Sequence, residues 1–397
     1  MLGLRESDLV AARLPRDGSW AALLGEAWDA GAAVLPIDDR LPAVAVDDLL
    51  ERARPTVWLD GSSVARRPDG VPVEDGIGLV MATSGSSGEP RLVSLPHAAV
   101  GAAVAASVER LAAGSDDPWL LCLPVAHMGG MLVLLRARAL GAPLLVGDFD
   151  PGAAFASIVP TQLARAVSSG VDLSGFRALL VGGAALDPAL LVDGAGLDPA
   201  AAGLEPAAAA ARALVVTTYG QTESCGGVVY DGVPLDGVSI RIGPAGEIEL
   251  AGPTLMRGYR LSDDSPLTDD SPFTGDGWLR TGDAGALLED GRLVVHGRMD
   301  DAIVTGGEKV WPAEVERVLR ACPSVADVAV TGRPDAEWGS VVVAYVVPHD
   351  PAAPPALEQL RALCASVVAA YKAPRALIIV EQLPRTASGK VARATLR

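Results

Sequence analysis

Two clusters in this 397-residue chain join residue types and spacings that can handle phosphates, and a third ends in a lysine near the C-terminus. The first, Thr83-Ser84-Gly85-Ser86-Ser87-Gly88-Glu89-Pro90-Arg91, follows the apolar run Gly78 to Ala82. Its glycines let backbone approach an anion, its hydroxyls and amide N–H groups are donors, and Arg91 adds charge, so it can grip phosphates. A solvated Gly/Ser loop is the plainer reading, and no Lys-Ser/Thr pair ends the segment as in a GxxxxGK[ST] loop. The second is Tyr219-Gly220-Gln221-Thr222-Glu223. A hard carboxylate oxygen beside a hydroxyl, at the end of an apolar strand run, suits Mg²⁺ bridged to phosphates, although Glu223 alone would read as a surface carboxylate. The third is Pro384-Arg385-Thr386-Ala387-Ser388-Gly389-Lys390, and a lysine so close to a chain end is ordinarily solvated.

Strands must carry these residues. Apolar runs of strand length recur at Gly78 to Ala82, Trp119 to Leu123, Pro143 to Val146, Ala178 to Val181 and Leu214 to Thr217, with alanine-rich helical segments such as Ala98 to Leu111 between several of them. That pattern predicts an α/β fold of layered, largely buried sheets and helices. Ala195 to Arg212, interrupted by Pro199 and Pro206, reads as a surface helix or loop. After Gly237 come short alternating strands (Ser239 to Ile242, Glu247 to Leu250, Leu293 to His296) and a polar loop from Ser262 to Gly277, which mark a smaller β unit. From Ala302 a small α+β module follows. Pro312 suits a first helical position, and Val315, Val318, Leu319 and Cys322 keep helical spacing. Leu357, Leu360, Cys364, Val367 and Tyr371 mark a second helix, and strands at Val325 to Thr331, Ser340 to Val347 and Leu377 to Val380 complete the module. The expected division is a large N-terminal domain, residues 1–299, and a small mobile C-terminal α+β domain, residues 300–397, cut near Arg298 to Asp301.

Composition narrows the function classes. Half the residues are hydrophobic, enough for a large core, which argues against disorder. The net charge of -17 argues against a surface that gathers nucleic acid or anionic lipid. A phosphate-bearing ligand must then be held locally, which screening over roughly 8 Å at physiological salt permits. Cys122, Cys225, Cys322 and Cys364 lie far apart with no CxxC pair, which fits a reducing, cytoplasmic setting and neither a zinc cluster nor a disulfide framework. Charge at Arg5, Glu6 and Asp8 leaves no signal-peptide pattern. The uncharged stretch Pro118 to Leu135 contains two prolines, His127 and the pair Gly129-Gly130, so it reads as buried strands and a turn instead of a membrane span. No GxSxG elbow supports hydrolase chemistry.

Taken in order, the motifs resemble those of the adenylate-forming superfamily of acyl-CoA synthetases, adenylation domains and luciferases. The likeness runs from about Gly78 to the C-terminus, and the part before Gly78 is shorter than is usual there. Arg91 stands where the superfamily usually has lysine, which keeps the charge but not the contact geometry. The resemblance implies that Glu223 binds Mg²⁺, that Thr222 touches a phosphate, and that Tyr219, Gly220 and Gly182-Gly183-Ala184 lie along the nucleotide. Asp283, in Trp278-Leu279-Arg280-Thr281-Gly282-Asp283, would bind both ribose hydroxyls, and Arg298 would assist the nucleotide. Asp300 would be the hinge, Gly306, Gly307 and Glu308 would serve a second, CoA-dependent step, and Lys390 would bridge the reacting carboxylate and the α-phosphate. ATP, Mg²⁺ and coenzyme A are thus the implied cofactor and co-substrates.

Two stretches look closest to the o-succinylbenzoate–CoA ligases of menaquinone biosynthesis: Val159-Pro160-Thr161-Gln162-Leu163, and Tyr219 through Gly237. A second carboxylate on such an acid needs a donor, which Gln162 or Arg165 could supply if not a structural polar group. His127, Gly129, Gly130, Ser224 and Gly226 are candidates for the same acyl pocket, with a core histidine as the alternative for His127. Another aryl- or acyl-CoA ligase, an adenylation enzyme loading a carrier protein, and a nucleotide-binding regulator without catalysis are the competing readings. The sequence is silent on oligomeric state, and a homodimer is compatible with it.

Overall fold

The computed structural model describes residues 2–84, 90–150, 152–184, 214–260, 271–385 and 391–396. The chain packs as two compact units: residues 1–240 with 249–280, and residues 241–248 with 281–397.

Two seven-stranded sheets build the first unit. In the first sheet the order is Gly258–Tyr259, Pro90–Pro96, Ile77–Ser84, Ala33–Pro36, Leu9–Arg13, Val57–Asp60, Ser63–Arg66. Leu9 to Ala12 and Ala33 to Leu35 are fully buried, which is why these parallel strands are apolar at those positions. The second sheet runs Val233–Pro234, Gly226–Tyr230, Leu214–Gln221, Ala178–Val181, Phe155–Ile158, Trp119–Leu121, Leu144–Val146, with the last five strands parallel. Helix His97–Leu111 and strands Ile77–Ser84, Leu144–Val146 and Ala178–Val181 fall where the apolar runs place them.

One stretch departs from expectation. Pro118 to Leu135 holds a single strand, Trp119–Leu121, followed by helix Met128–Leu140. That helix is buried from Met131 through Ala137, so it carries no amphipathic stripe and its sequence resembles a buried strand. Gly129 and Gly130 lie in its first turn instead of making a chain reversal. A Cβ on Gly130 would stand 2.3 Å from Pro124 O, so close packing of the helix onto that loop requires glycine. Among the described residues no helix is long and apolar enough to cross a membrane.

In the second unit a five-stranded sheet holds Glu308–Val310, Ile303–Thr305, Gly339–Pro348, Val325–Asp335 and Ala376–Ile379. Helix Pro312–Arg320, with proline in its first turn, packs Val315, Val318 and Leu319 into a core with Val328, Val342 and Leu360. The second helix, Leu357–Val367, is shorter than expected. The β-branched pair Val367-Val368 ends it, Val368 is extended, and Tyr371 lies in a separate 3-10 turn, Ala370–Lys372. The boundary region at Arg298 to Asp301 falls inside this unit, where strand Leu293–Arg298 runs into the 3-10 turn Met299–Asp301. Ala195 to Arg212 and most of Ser262 to Gly277 lie outside the described residues.

Candidate active site

In the first unit, strands Ile77–Ser84 and Pro90–Pro96 form an antiparallel hairpin with Thr83 opposite Arg91. Gly85, Ser86, Ser87 and Gly88 lie outside the described residues, as does the Ser84 side chain. Thr83 Oγ1 donates to Arg91 O at 3.4 Å.

Glu223 comes to the same place from the second sheet. Strand Leu214–Gln221 pairs antiparallel with Gly226–Tyr230, and the 3-10 turn Thr222–Ser224 joins them. The turn is tight: a Cβ on Gly220 would lie 1.9 Å from Gly226 O. Ser224 is fully buried, accepting from Gln221 N and donating to Gln221 O and Gly226 O, all at 3.0 Å, so its hydroxyl closes the turn. Glu223 leaves the turn toward Tyr259, whose hydroxyl donates to Glu223 Oε1 at 3.0 Å. Arg91 Nη1 reaches that same hydroxyl at 3.4 Å, and its guanidinium stands 5.0 Å from the centre of the Tyr259 ring. Burial, then the neighbouring Glu223 charge, pushes the Tyr259 phenol up to about 12, so it remains a protonated donor at neutral pH.

Tyr259 was not among the residues that motif and spacing pick out. Its backbone pairs with Val93 on the strand that carries Arg91, and the Met256 amide donates to Glu223 O at 2.8 Å. These two long-range contacts bring Tyr259 to Glu223, and nothing in the local sequence signals them.

Gly182 and Gly183 follow strand Ala178–Val181, and a Cβ on Gly182 would lie 2.3 Å from Thr218 Oγ1. That places Gly182 against the strand leading to Tyr219 and Gly220, at the carboxyl ends of two parallel strands, where open α/β sheets bind ligands. Ala184 is exposed. Gln162 Oε1 accepts from Val159 N at 3.0 Å and caps helix Pro160–Ser168. His127 precedes helix Met128–Leu140, half exposed, with Nε2 3.8 Å from Asp38 Oδ2. Hydrogen bonds from Arg40 hold that Asp38 carboxyl below its usual range. Gly226 serves packing, since a Cβ there would meet Leu132 Cδ1 at 2.6 Å.

In the second unit Asp283 and Arg298 face each other across the hairpin of strands Leu279–Leu287 and Leu293–Arg298. Arg298 Nη1 donates to Asp283 Oδ1 at 3.3 Å and to Thr281 O at 3.1 Å, so two residues chosen separately by motif form one pair. Asp300 is exposed in its 3-10 turn. Gly306 and Gly307, both with positive φ, make the turn before Glu308, which is exposed, and Gly306 N donates to Trp338 O at 2.9 Å. Lys390 lies outside the described residues. The segments flanking it are tied down: Arg385 pairs with Asp327 and bridges to Val391, while Arg393 donates to both oxygens of buried Glu316 at 2.7 and 2.9 Å.

The chain matches the AMP-binding enzyme family over residues 60–260 and the AMP-binding enzyme C-terminal domain over residues 314–390. A Mycobacterium tuberculosis protein named "Probable 2-succinylbenzoate--CoA ligase" is 40% identical over 348 residues, covering 82% of this chain and 85% of that one. O-succinylbenzoate CoA synthetase (MenE) from Bacillus subtilis, solved with the acyl-adenylate intermediate OSB-AMP, superposes with a TM-score of 0.82 at 25% identity, covering 99% of this chain and 89% of that one. The same enzyme solved with ATP and a magnesium ion gives a TM-score of 0.80 at 25% identity, covering 99% and 90%. This chain belongs to the AMP-binding, adenylate-forming enzyme family.

Proposed function

We propose that the protein is an AMP-forming acid–CoA ligase that converts 2-succinylbenzoate (o-succinylbenzoate) to its CoA thioester in menaquinone biosynthesis, using ATP, Mg²⁺ and CoA. The observation that carries this reading is the meeting of Arg91 and Glu223 at Tyr259, a cation of the kind that binds phosphate beside a carboxylate of the kind that binds magnesium. Among the described residues no group of three or more His, Cys, Asp or Glu side chains could hold a metal ion. Magnesium commonly takes one or two carboxylates plus substrate phosphates, so Glu223, with Thr222 next to it in the same turn, fits it. When bound, the ion neutralises phosphate charge.

The reaction runs in two steps. A carboxylate oxygen of the acid attacks the α-phosphorus, the bond to the bridging oxygen breaks, and pyrophosphate leaves with that electron pair. The CoA sulfur, having given up its proton, then attacks the acyl carbon and AMP leaves. Arg91 and the amides of the Thr83 to Gly88 loop would bind phosphates, and Gly182 to Ala184 would offer backbone to the base. Asp283 would accept from the ribose hydroxyls, its carboxylate oriented by Arg298 at 3.3 Å. Lys390 would donate to the charge that develops on the α-phosphate in the first step. Rotation at Asp300 would bring Gly306, Gly307 and Glu308 into use for the second. The acid's second carboxylate needs a donor; with Oε1 of Gln162 occupied by Val159 N, its amide nitrogen is the donor left, and Arg165 is the neighbouring cation. A cytoplasmic setting is supported by four buried, free cysteines.

The test is to supply ATP, CoA and a panel of acids and to follow the products. AMP together with a thioester, fastest on 2-succinylbenzoate, is expected. ADP in place of AMP would overturn the reading.

A further inference from the structure

Beyond the motif residues, the geometry points to Tyr259 as a positioning residue for the metal-bound nucleotide; this rests on Glu223 being the Mg²⁺ ligand. Arg91 and Glu223 carry opposite charges that the site needs for opposite purposes. The guanidinium must attract phosphates and the carboxylate must attract a cation. Direct pairing would set each charge against the other. Here they meet at a neutral hydroxyl, with Arg91 Nη1 at 3.4 Å and Glu223 Oε1 at 3.0 Å from the Tyr259 oxygen. The hydroxyl fixes one carboxylate oxygen by donation, and among the described residues no other donor to this carboxylate is found. The ring face meanwhile stabilises the Arg91 cation at 5.0 Å.

The aim of Tyr259 is fixed by its neighbours. Strand Gly258–Tyr259 pairs with Val93 and Ser94, and the amides of Arg257 and Arg260 donate to Ser94 O at 2.9 Å and Leu92 O at 2.7 Å. The Arg260 side chain bonds the carbonyls of Ala53 at 2.9 Å, Pro72 at 3.1 Å and Arg54 at 3.4 Å, and also that of Val71. The phenol is thus held on a rigid edge strand, the arrangement by which an outer partner orients a metal-binding carboxylate.

The experiment compares the parent protein with Tyr259→Phe, which removes the hydroxyl and keeps the ring. Mg²⁺ is titrated calorimetrically into protein saturated with α,β-methylene-ATP, in which the bond to be cleaved is blocked. Tyr259→Phe weakens Mg²⁺ binding by about 10-fold, the lower end of the effect of losing an outer-shell partner. Binding of the analogue in metal-free buffer stays unchanged, and so does CoA transfer from supplied acyl-adenylate. Tyr259→Leu, which also removes the ring, additionally weakens metal-free nucleotide binding by roughly three-fold. The inference fails if Tyr259→Phe binds Mg²⁺ within a factor of two of the parent. It fails equally if metal binding and CoA transfer fall together with a lower melting temperature, because the hydroxyl would then serve only packing. A parent protein that binds no Mg²⁺ beside the analogue overturns the Glu223 assignment itself.

Discussion

The two units solve opposite electrostatic problems. In the first, Arg260 is a part-buried cation whose hydrogen bonds run to four backbone carbonyls, and burial pulls its pKa down to about 10. In the second, Glu316 is a buried anion, 3% exposed, held by Arg393, Arg320 and the Val330 amide. Carbonyls are supplied by any sequence at those positions, and they can turn to water if the cation is lost. A buried carboxylate held by guanidinium groups has no such substitute. The anchor at Arg260 should therefore tolerate change better than the anchor at Glu316.

The largest expected effects are catalytic and bear on both regions. Glu223→Gln and Lys390→Ala should each slow adenylate formation by on the order of 10²-fold to 10³-fold, while CoA transfer from supplied adenylate persists. Equal loss of both half-reactions in Lys390→Ala, with the fold intact, would break the assignment of the lysine to the first step alone. Next, Arg393→Met should cost the second unit about 3 kcal/mol, because it strands most of the Glu316 charge. Arg260→Met should cost the first unit about 1–2 kcal/mol, as lost hydrogen bonds are offset by relief of cation burial. Denaturant melts followed by a probe in each unit give both values, and the reverse ranking would contradict the difference between the two buried charges.

The smallest effect is a pH dependence confined to the first unit. His97 packs edge-on against Trp28 with ring centres 4.9 Å apart, and burial lowers its pKa below the usual 6.5. The folded chain holds the neutral ring while the unfolded chain takes up a proton, so stability present above about pH 6.5 is lost as pH falls through the lower folded value. His97→Gln should flatten that acid limb in urea melts of the first unit. An unchanged limb would place the titration elsewhere.

Sequence revealed what is local. The loop at Thr83 to Arg91, the pair Thr222-Glu223, and Asp283 with Arg298 all announce themselves by residue type and spacing. Tyr259 does not, because its role arises from pairing with Val93, a strand far away in the chain. Helix Met128–Leu140 escaped for another reason: buried on nearly all sides, it lacks the 3.6-residue stripe by which helices are told from strands. Tyr371 kept the helical period of Leu360 and Cys364 after the helix had ended, since spacing alone does not register the cost of Val367-Val368. Ser224 closes a turn and Gly226 permits close helix packing, roles that residue type and spacing do not reveal.

The most direct test of the whole account withholds CoA. Protein mixed with ATP, Mg²⁺ and 2-succinylbenzoate should release pyrophosphate in a burst of about one equivalent per active site and retain acyl-adenylate, with AMP and thioester appearing once CoA is added. Release of inorganic phosphate with ADP, or pyrophosphate formation only after CoA is present, would contradict it.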